Sequence, residues 1–183
     1  MILPGHLAAG YLATIIVIKT LKPELDPAHL NYLIILGTFF GMIPDLDAFW
    51  VFYKNKRFIF SDESINHRDF LSHAPSLWTI TGLALFSIFA FLNNEFMKYA
   101  SLVLIISVLS HFILDSIQIG IMWLWPLSKK RYAIEDEDIK NIIHRKYFFG
   151  YWIKFVEVYA TNIRATFWAE VVLTILGLII FVT

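Results

Sequence analysis

Five runs of apolar residues govern what this chain can become. They cover residues 7–21, 30–53, 77–92, 99–124 and 167–182. Each is near the ~20 residues a helix needs to cross the hydrocarbon core of a bilayer. Helix is the state lipid permits, because an open strand would leave backbone N–H and C=O groups without partners. Composition agrees: 58% of the 183 residues are hydrophobic and 16% are charged, against about 25% charged in an average soluble domain. One small soluble core could not hold that much apolar surface. The expected fold is all-α, a single integral membrane helical bundle over residues 1–183 with about five transmembrane helices. The first run lacks a basic leading region and a small-residue cleavage site, so it reads as a span rather than a signal peptide.

The connections then alternate between the two sides of the membrane. The N-terminus, the 54–76 loop and the 125–166 loop share one side and carry twelve of the 15 Lys and Arg residues; Lys19, Lys22 and Lys98 lie on the other. The positive-inside rule puts the N-terminus in the cytoplasm and the C-terminus outside. The 125–166 loop is the largest polar region. Its "AIEDEDIKNIIHRK" has an acidic start and a basic end, which suits a helix dipole. Its "YFFGYWIKFVEVYA" is aromatic and is expected to lie in the membrane interface. Together they form an interfacial, helical cytoplasmic insertion. The net charge is zero, so nothing points to direct nucleic-acid binding; the bilayer is the expected partner. There are no cysteines. Any metal would have to use His, Asp and Glu, a set suited to zinc or manganese.

Polar residues inside apolar runs are costly in lipid and mark function or helix association. "HFILD" holds His111 and Asp115 four residues apart, one turn along a single helix face, with Ser107 and Gln118 on that face too. Taken alone, the pair could be an internal hydrogen bond. "GMIPDLD" places Asp45 and Asp47 at the cytoplasmic end of the second run, after Pro44 and a small-residue face of Gly37 and Gly41. "NHRDFLSHAPS" carries His67, Arg68 and His73 in the next cytoplasmic loop, with Ser72 or Ser76 expected to cap the third helix. His6 opens the first run. Each is explicable singly as a solvated helix end. Together, four separate segments bring metal-type ligands to one leaflet, and of six histidines only His29 falls on the far side. His144 reads as the solvated basic end of its own helix.

The series "GHLAAGY", "GMIPDLD", "HRDFLSH", "SHFILDS" and "WLWP", spread over residues 5–126, resembles a family of inner-membrane metal-dependent hydrolases, some described as LexA-binding. The order His, Asp, His, His-x3-Asp is also similar to that of zinc-dependent phospholipases C and single-strand nucleases. The resemblance implies a multi-pass inner-membrane protein. It also implies a metal cluster of His6, Asp45 or Asp47, His73, His111 and Asp115, with Asp115 bridging two ions. The chain departs from the soluble enzymes in having no His-x3-Glu after "HFILD".

The leading expectation is a membrane-bound phosphoesterase using one or two divalent ions, zinc or else manganese, on a phosphate-containing lipid-like substrate. Asp45 or Asp47 would serve as ligand or general base. Arg68 would hold the phosphate, its fork matching that geometry. His67 would protonate the leaving group or support a ligand. Two other classes stand beside it. One is an ion- or proton-coupled transporter, although no inverted repeat is visible. The other is a membrane anchor whose 125–166 loop binds a regulatory protein.

Overall fold

The computed structural model describes residues 3–48, 50, 53, 70–117, 120–134, 153, 156–161 and 164–182. These form five named α-helices: α1 (Leu3–Leu21), α2 (Pro27–Phe40), α3 (Pro75–Phe91), α4 (Glu95–Asp115) and α5 (Arg164–Val182). Two short 3₁₀ turns, Ile43–Leu46 and Leu71–His73, lie between α2 and α3. No strand occurs among the described residues, only an isolated bridge between Ile121 and Tyr132. The architecture is the expected all-α bundle.

The helix ends follow from local chemistry. Asp26 caps α2, its carboxylate accepting from the His29 N–H at 2.9 Å, and Pro27 supplies a fixed φ at the first turn. Asn94 caps α4 through the Met97 N–H at 3.0 Å. Helices α1 and α3 stop where Lys22 (φ +46°) and Asn93 (φ +53°) turn left-handed, a conformation that ends the i→i−4 ladder. The cap expected from Ser72 or Ser76 on α3 is not made. Ser76 Oγ donates instead to the Trp125 carbonyl at 2.6 Å, and Ser72 Oγ to Asp47.

Two apolar runs end sooner than their composition suggests. The 30–53 run does not continue as one helix: α2 stops at Phe40, Gly41 and Met42 form a turn, and a 3₁₀ segment begins at Ile43. Pro44 cannot donate to an α ladder and its ring would strike the turn before it. The 99–124 run likewise stops at Asp115. There the Ser116 N–H reaches the Phe112 carbonyl at 2.9 Å, and the Ser116 hydroxyl reaches the same oxygen at 2.7 Å. The chain then folds back through Gly120 (φ +81°). Ile121 and Tyr132 exchange bonds of 3.1 and 3.0 Å, and the Ile134 N–H returns to the Ser116 carbonyl at 2.9 Å. This return places Ile121 in a buried cluster with Leu104, Val108 and Phe112, directly under the end of α4.

Helix α4 is the centre of the bundle, touching α1, α2 and α3, while α5 rests on α1. Half of the apolar stretch of α4 is buried but only 17% of that of α5, so α5 is peripheral and faces outward. Helices α1 and α2 meet backbone to backbone. A methyl group added at Gly10 would run into the Gly37 carbonyl, and one at Gly41 into the His6 carbonyl. Small residues permit that approach where lipid supplies no hydrophobic drive between helices. Helix α4 is tied in by Ser107, whose hydroxyl approaches the Gly10 carbonyl at 3.4 Å. By length and apolarity α1, α4 and residues 165–182 are membrane spans; α2 and α3, at 14 and 17 residues, are shorter apolar helices.

Candidate metal centre

The first turn of α1, the 3₁₀ turn after α2, the 3₁₀ turn before α3 and the last turn of α4 converge at one end of the bundle. They bring together His6, Asp45, His73, His111 and Asp115. The three histidines are fully buried and Asp115 is 1% exposed. Burying such groups without compensation costs several kcal/mol, so what their polar atoms face decides the meaning of the cluster.

The imidazoles are oriented from behind. His111 Nδ1 lies 2.8 Å from the Gly41 carbonyl. A carbonyl oxygen only accepts, so Nδ1 carries the proton and Nε2 presents a lone pair to the cluster. His73 Nδ1 lies 3.2 Å from Asp47 Oδ2, to which the Ser72 hydroxyl also donates. This leaves His73 Nε2 turned inward, 3.4 Å from Asp45 Oδ1. Ligand histidines are held in this way, one ring nitrogen fixed by a carbonyl or carboxylate and the other on the metal.

The inward atoms face one another at ion-pair distances and are close enough to share an ion. His111 Nε2 stands 3.7 Å from Asp45 Oδ1 and 3.7 Å from Asp115 Oδ2. Hydrogen bonds of this type run to about 3.2 Å, whereas two ligands each ~2.0 Å from a tetrahedral zinc stand roughly 3.3 Å apart. One ligand atom each from Asp45, His73, His111 and Asp115 lies within 4.8 Å of all the others. Two imidazoles and two carboxylates at this spacing fit a borderline divalent ion.

His6 adds a second face. Its ring stacks on His111 with centroids 3.8 Å apart. Its Nε2 is 3.3 Å from Asp115 Oδ1 and 3.6 Å from Asp45 Oδ2. Neither nitrogen of His6 has a hydrogen-bond partner among the described residues. Asp45 and Asp115 therefore each turn one oxygen toward the His73–His111 side and the other toward His6.

Asp47 stands behind His73 and outside the inward group. In a 3₁₀ segment of three residues per turn, positions two apart point about 120° away from each other, so Asp45 and Asp47 cannot face the same point. His67, Arg68, Gln118 and His144 lie outside the described residues. His29 is at the far end of the bundle, beside Asp26.

One group escaped the sequence reading. Glu170, on α5, is 5% exposed, and its Oε1 accepts the Gly5 N–H at 3.0 Å. Its Oε2 accepts the Tyr159 hydroxyl at 2.5 Å. The signal was available, since Glu170 is a lone acid inside "FWAEVVLTILGL", where an ionisable group demands explanation. Tyr159 sits at the end of the aromatic stretch expected to lie in the interface; it is instead buried, at 3% exposure, edge-on to Phe167.

The family model for the YdjM inner membrane protein matches residues 1–183. The chain belongs to that family and is an inner-membrane protein. No curated protein and no solved structure matches it.

Proposed function

We propose that this member of the YdjM family is a membrane-bound metal-dependent hydrolase, a phosphoesterase acting on a lipid or lipid-linked phosphate at the cytoplasmic interface. The observation that carries the reading is the inward set of Asp45, His73, His111 and Asp115, whose ligand atoms all lie within 4.8 Å of one another. These four would hold one ion, zinc or else manganese. His6 and the outer oxygens of Asp45 and Asp115 would hold a second. Ions so held supply Lewis acidity, lowering the pKa of a water and clamping a phosphate oxygen.

The remaining work belongs to the chain. The Gly41 carbonyl and Asp47 fix the two imidazoles in the ligating tautomer. The Asp45 side chain is 20% exposed while those of His6, His111 and Asp115 are closed off, so substrate approaches past Asp45. Asp47 stands behind His73 as its orienting carboxylate, which leaves Asp45, the part-exposed acid of the cluster, to serve as ligand or general base. On sequence grounds Arg68 holds the phosphate and His67 serves the leaving group. The ligands come from helix ends and turns, whereas transporter sites sit near the bilayer midplane on broken helices. That placement favours interfacial hydrolysis over transport, and the charge bias of the loops supports a site in the cytoplasmic leaflet.

The test is bound metal. Protein purified in detergent without a metal-affinity tag is measured by elemental mass spectrometry beside a His111→Ala, Asp115→Ala double variant. One or two equivalents of zinc or manganese, lost in the variant, support the reading and lead to a phosphodiester substrate screen. Two well-folded proteins without metal would overturn it.

A further inference from the structure

We infer that Glu170 is the positioning residue for His6: α5 reaches across to the first turn of α1 and sets the height at which His6 meets the cluster. This rests on the proposed metal reading for its functional consequence, but not for its geometry.

The first backbone N–H groups of a helix have no intrahelical acceptor. In α1 one of these is the Gly5 N–H, immediately before His6. Its acceptor comes from 165 residues away, Glu170 Oε1 at 3.0 Å, in a buried setting. A carboxylate at a helix N-terminus is favoured by the helix dipole, and more so away from water. The other oxygen is held by the Tyr159 hydroxyl at 2.5 Å. Tyr159 is itself fixed by its edge contact with Phe167, at 5.8 Å between centroids. The carboxylate therefore cannot swing to another rotamer without losing a partner.

No hydrogen bond among the described residues holds the His6 ring. Its two nitrogens have no such partner among the described residues; the ring stacks on His111, and Nε2 faces Asp115 and Asp45 at 3.3 and 3.6 Å. The position of the imidazole is thus set by the backbone it hangs from. That backbone is fixed on one side by Gly41, which packs against the His6 carbonyl, and on the other by Glu170 through Gly5. Elsewhere α5 meets α1 through apolar contacts such as Gly177 on Ala8. Those contacts allow sliding along the helix axis; the Glu170 tether does not.

The experiment uses the full chain in lipid nanodiscs, comparing wild type with Glu170→Ala, Glu170→Gln and Tyr159→Phe. Three readouts are taken: hydrogen exchange at the Gly5 amide, the imidazole resonance of His6 in protein with nitrogen-labelled histidine, and zinc affinity. Glu170→Ala is expected to speed Gly5 exchange by about tenfold or more and to shift the His6 resonance, with amides in the middle of α4 unchanged. Glu170→Gln, whose amide oxygen can still accept from Gly5 while Tyr159 turns to accept, should restore both. Tyr159→Phe should lie between them. Zinc binding should weaken about 10–100-fold in Glu170→Ala, and adding Glu170→Ala to His6→Ala should cost no more than His6→Ala alone.

An unchanged Gly5 exchange or an unmoved His6 resonance in Glu170→Ala would overturn the proposal, as would additive losses in the double variant. A wild-type protein that takes up no zinc would remove the metal reading, leaving the first two readouts to decide the role of Glu170. Should Glu170→Ala fail to insert, Glu170→Asp, one methylene too short to span both partners, carries the same expectations.

Discussion

The bundle holds two histidine–aspartate pairs of nearly the same sequence spacing and opposite meaning. At one end, His29 Nδ1 lies 2.6 Å from Asp26 Oδ2, with side chains 47% and 57% exposed. At the other, His111 Nε2 lies 3.7 Å from Asp115 Oδ2, with both side chains fully buried. The tighter pair is the less consequential. Asp26 and His29 satisfy each other and a helix terminus in water, where such contacts contribute little. His111 and Asp115 are buried 3.7 Å apart, and each also faces Asp45 or His6. The exposed pair closes on itself, whereas the buried pair leaves room for the ion proposed above.

The comparison breaks most visibly if metal follows the wrong pair. Asp115→Ala is expected to abolish bound divalent metal while the protein still inserts, and His29→Ala to leave metal content at the wild-type level; elemental analysis of both decides it. Next in size, Asp47→Asn should keep a side chain behind His73 but weaken its hold on Nδ1–H, lowering zinc affinity about 10–100-fold, measured by competition with a chelator. Gly41→Ala forces a methyl against the His6 carbonyl. Overpacking of this kind costs roughly 1–3 kcal/mol, and the loss should appear together as a lower melting temperature and weaker metal binding.

The smallest effect belongs to the exposed pair. The His29 backbone N–H, and then its side chain, hold the Asp26 carboxyl below its ordinary value of 3.8. A depressed carboxylate pKa contributes stability that is present at neutral pH and lost as pH falls through the folded value. Acidification through that range should therefore loosen the start of α2, seen as faster amide exchange at His29. Asp26→Ala should remove this pH dependence by removing the cap, leaving exchange at His29 fast at every pH.

Much of the site was legible in the sequence because helix periodicity is rigid. A spacing of four from His111 to Asp115 fixes them to one face, and the Gly37–Gly41 repeat fixes the face that α1 approaches. The choice between Asp45 and Asp47 was not legible, because it depends on a 3₁₀ turn that apolar composition does not announce. The apolar runs also overstated α2 and α4. Hydrophobicity reports what tolerates burial, and the return segment of Ile121 is as apolar as the helix it packs beneath. Glu170 announces itself as a lone acid in an apolar run, but its partners, the Gly5 N–H and the Tyr159 hydroxyl, are set by a contact between distant segments that no local pattern reveals. The membrane class, by contrast, needed only the length of the apolar runs.

The shortness of α2 has a consequence for the surrounding leaflet. Fourteen residues make a helix about 21 Å long, against ~30 Å of hydrocarbon, and Tyr32, Ile35 and Phe39 of α2 face outward. A bilayer meeting so short an apolar wall thins or dimples rather than exposing its acyl chains to polar groups. The depression falls where α2 gives way to the turn bearing Asp45. On the proposed phosphoesterase reading, a phospholipid resting there would have its phosphodiester lowered toward the cluster while its tails stayed in the membrane, and no extraction of the substrate would be needed.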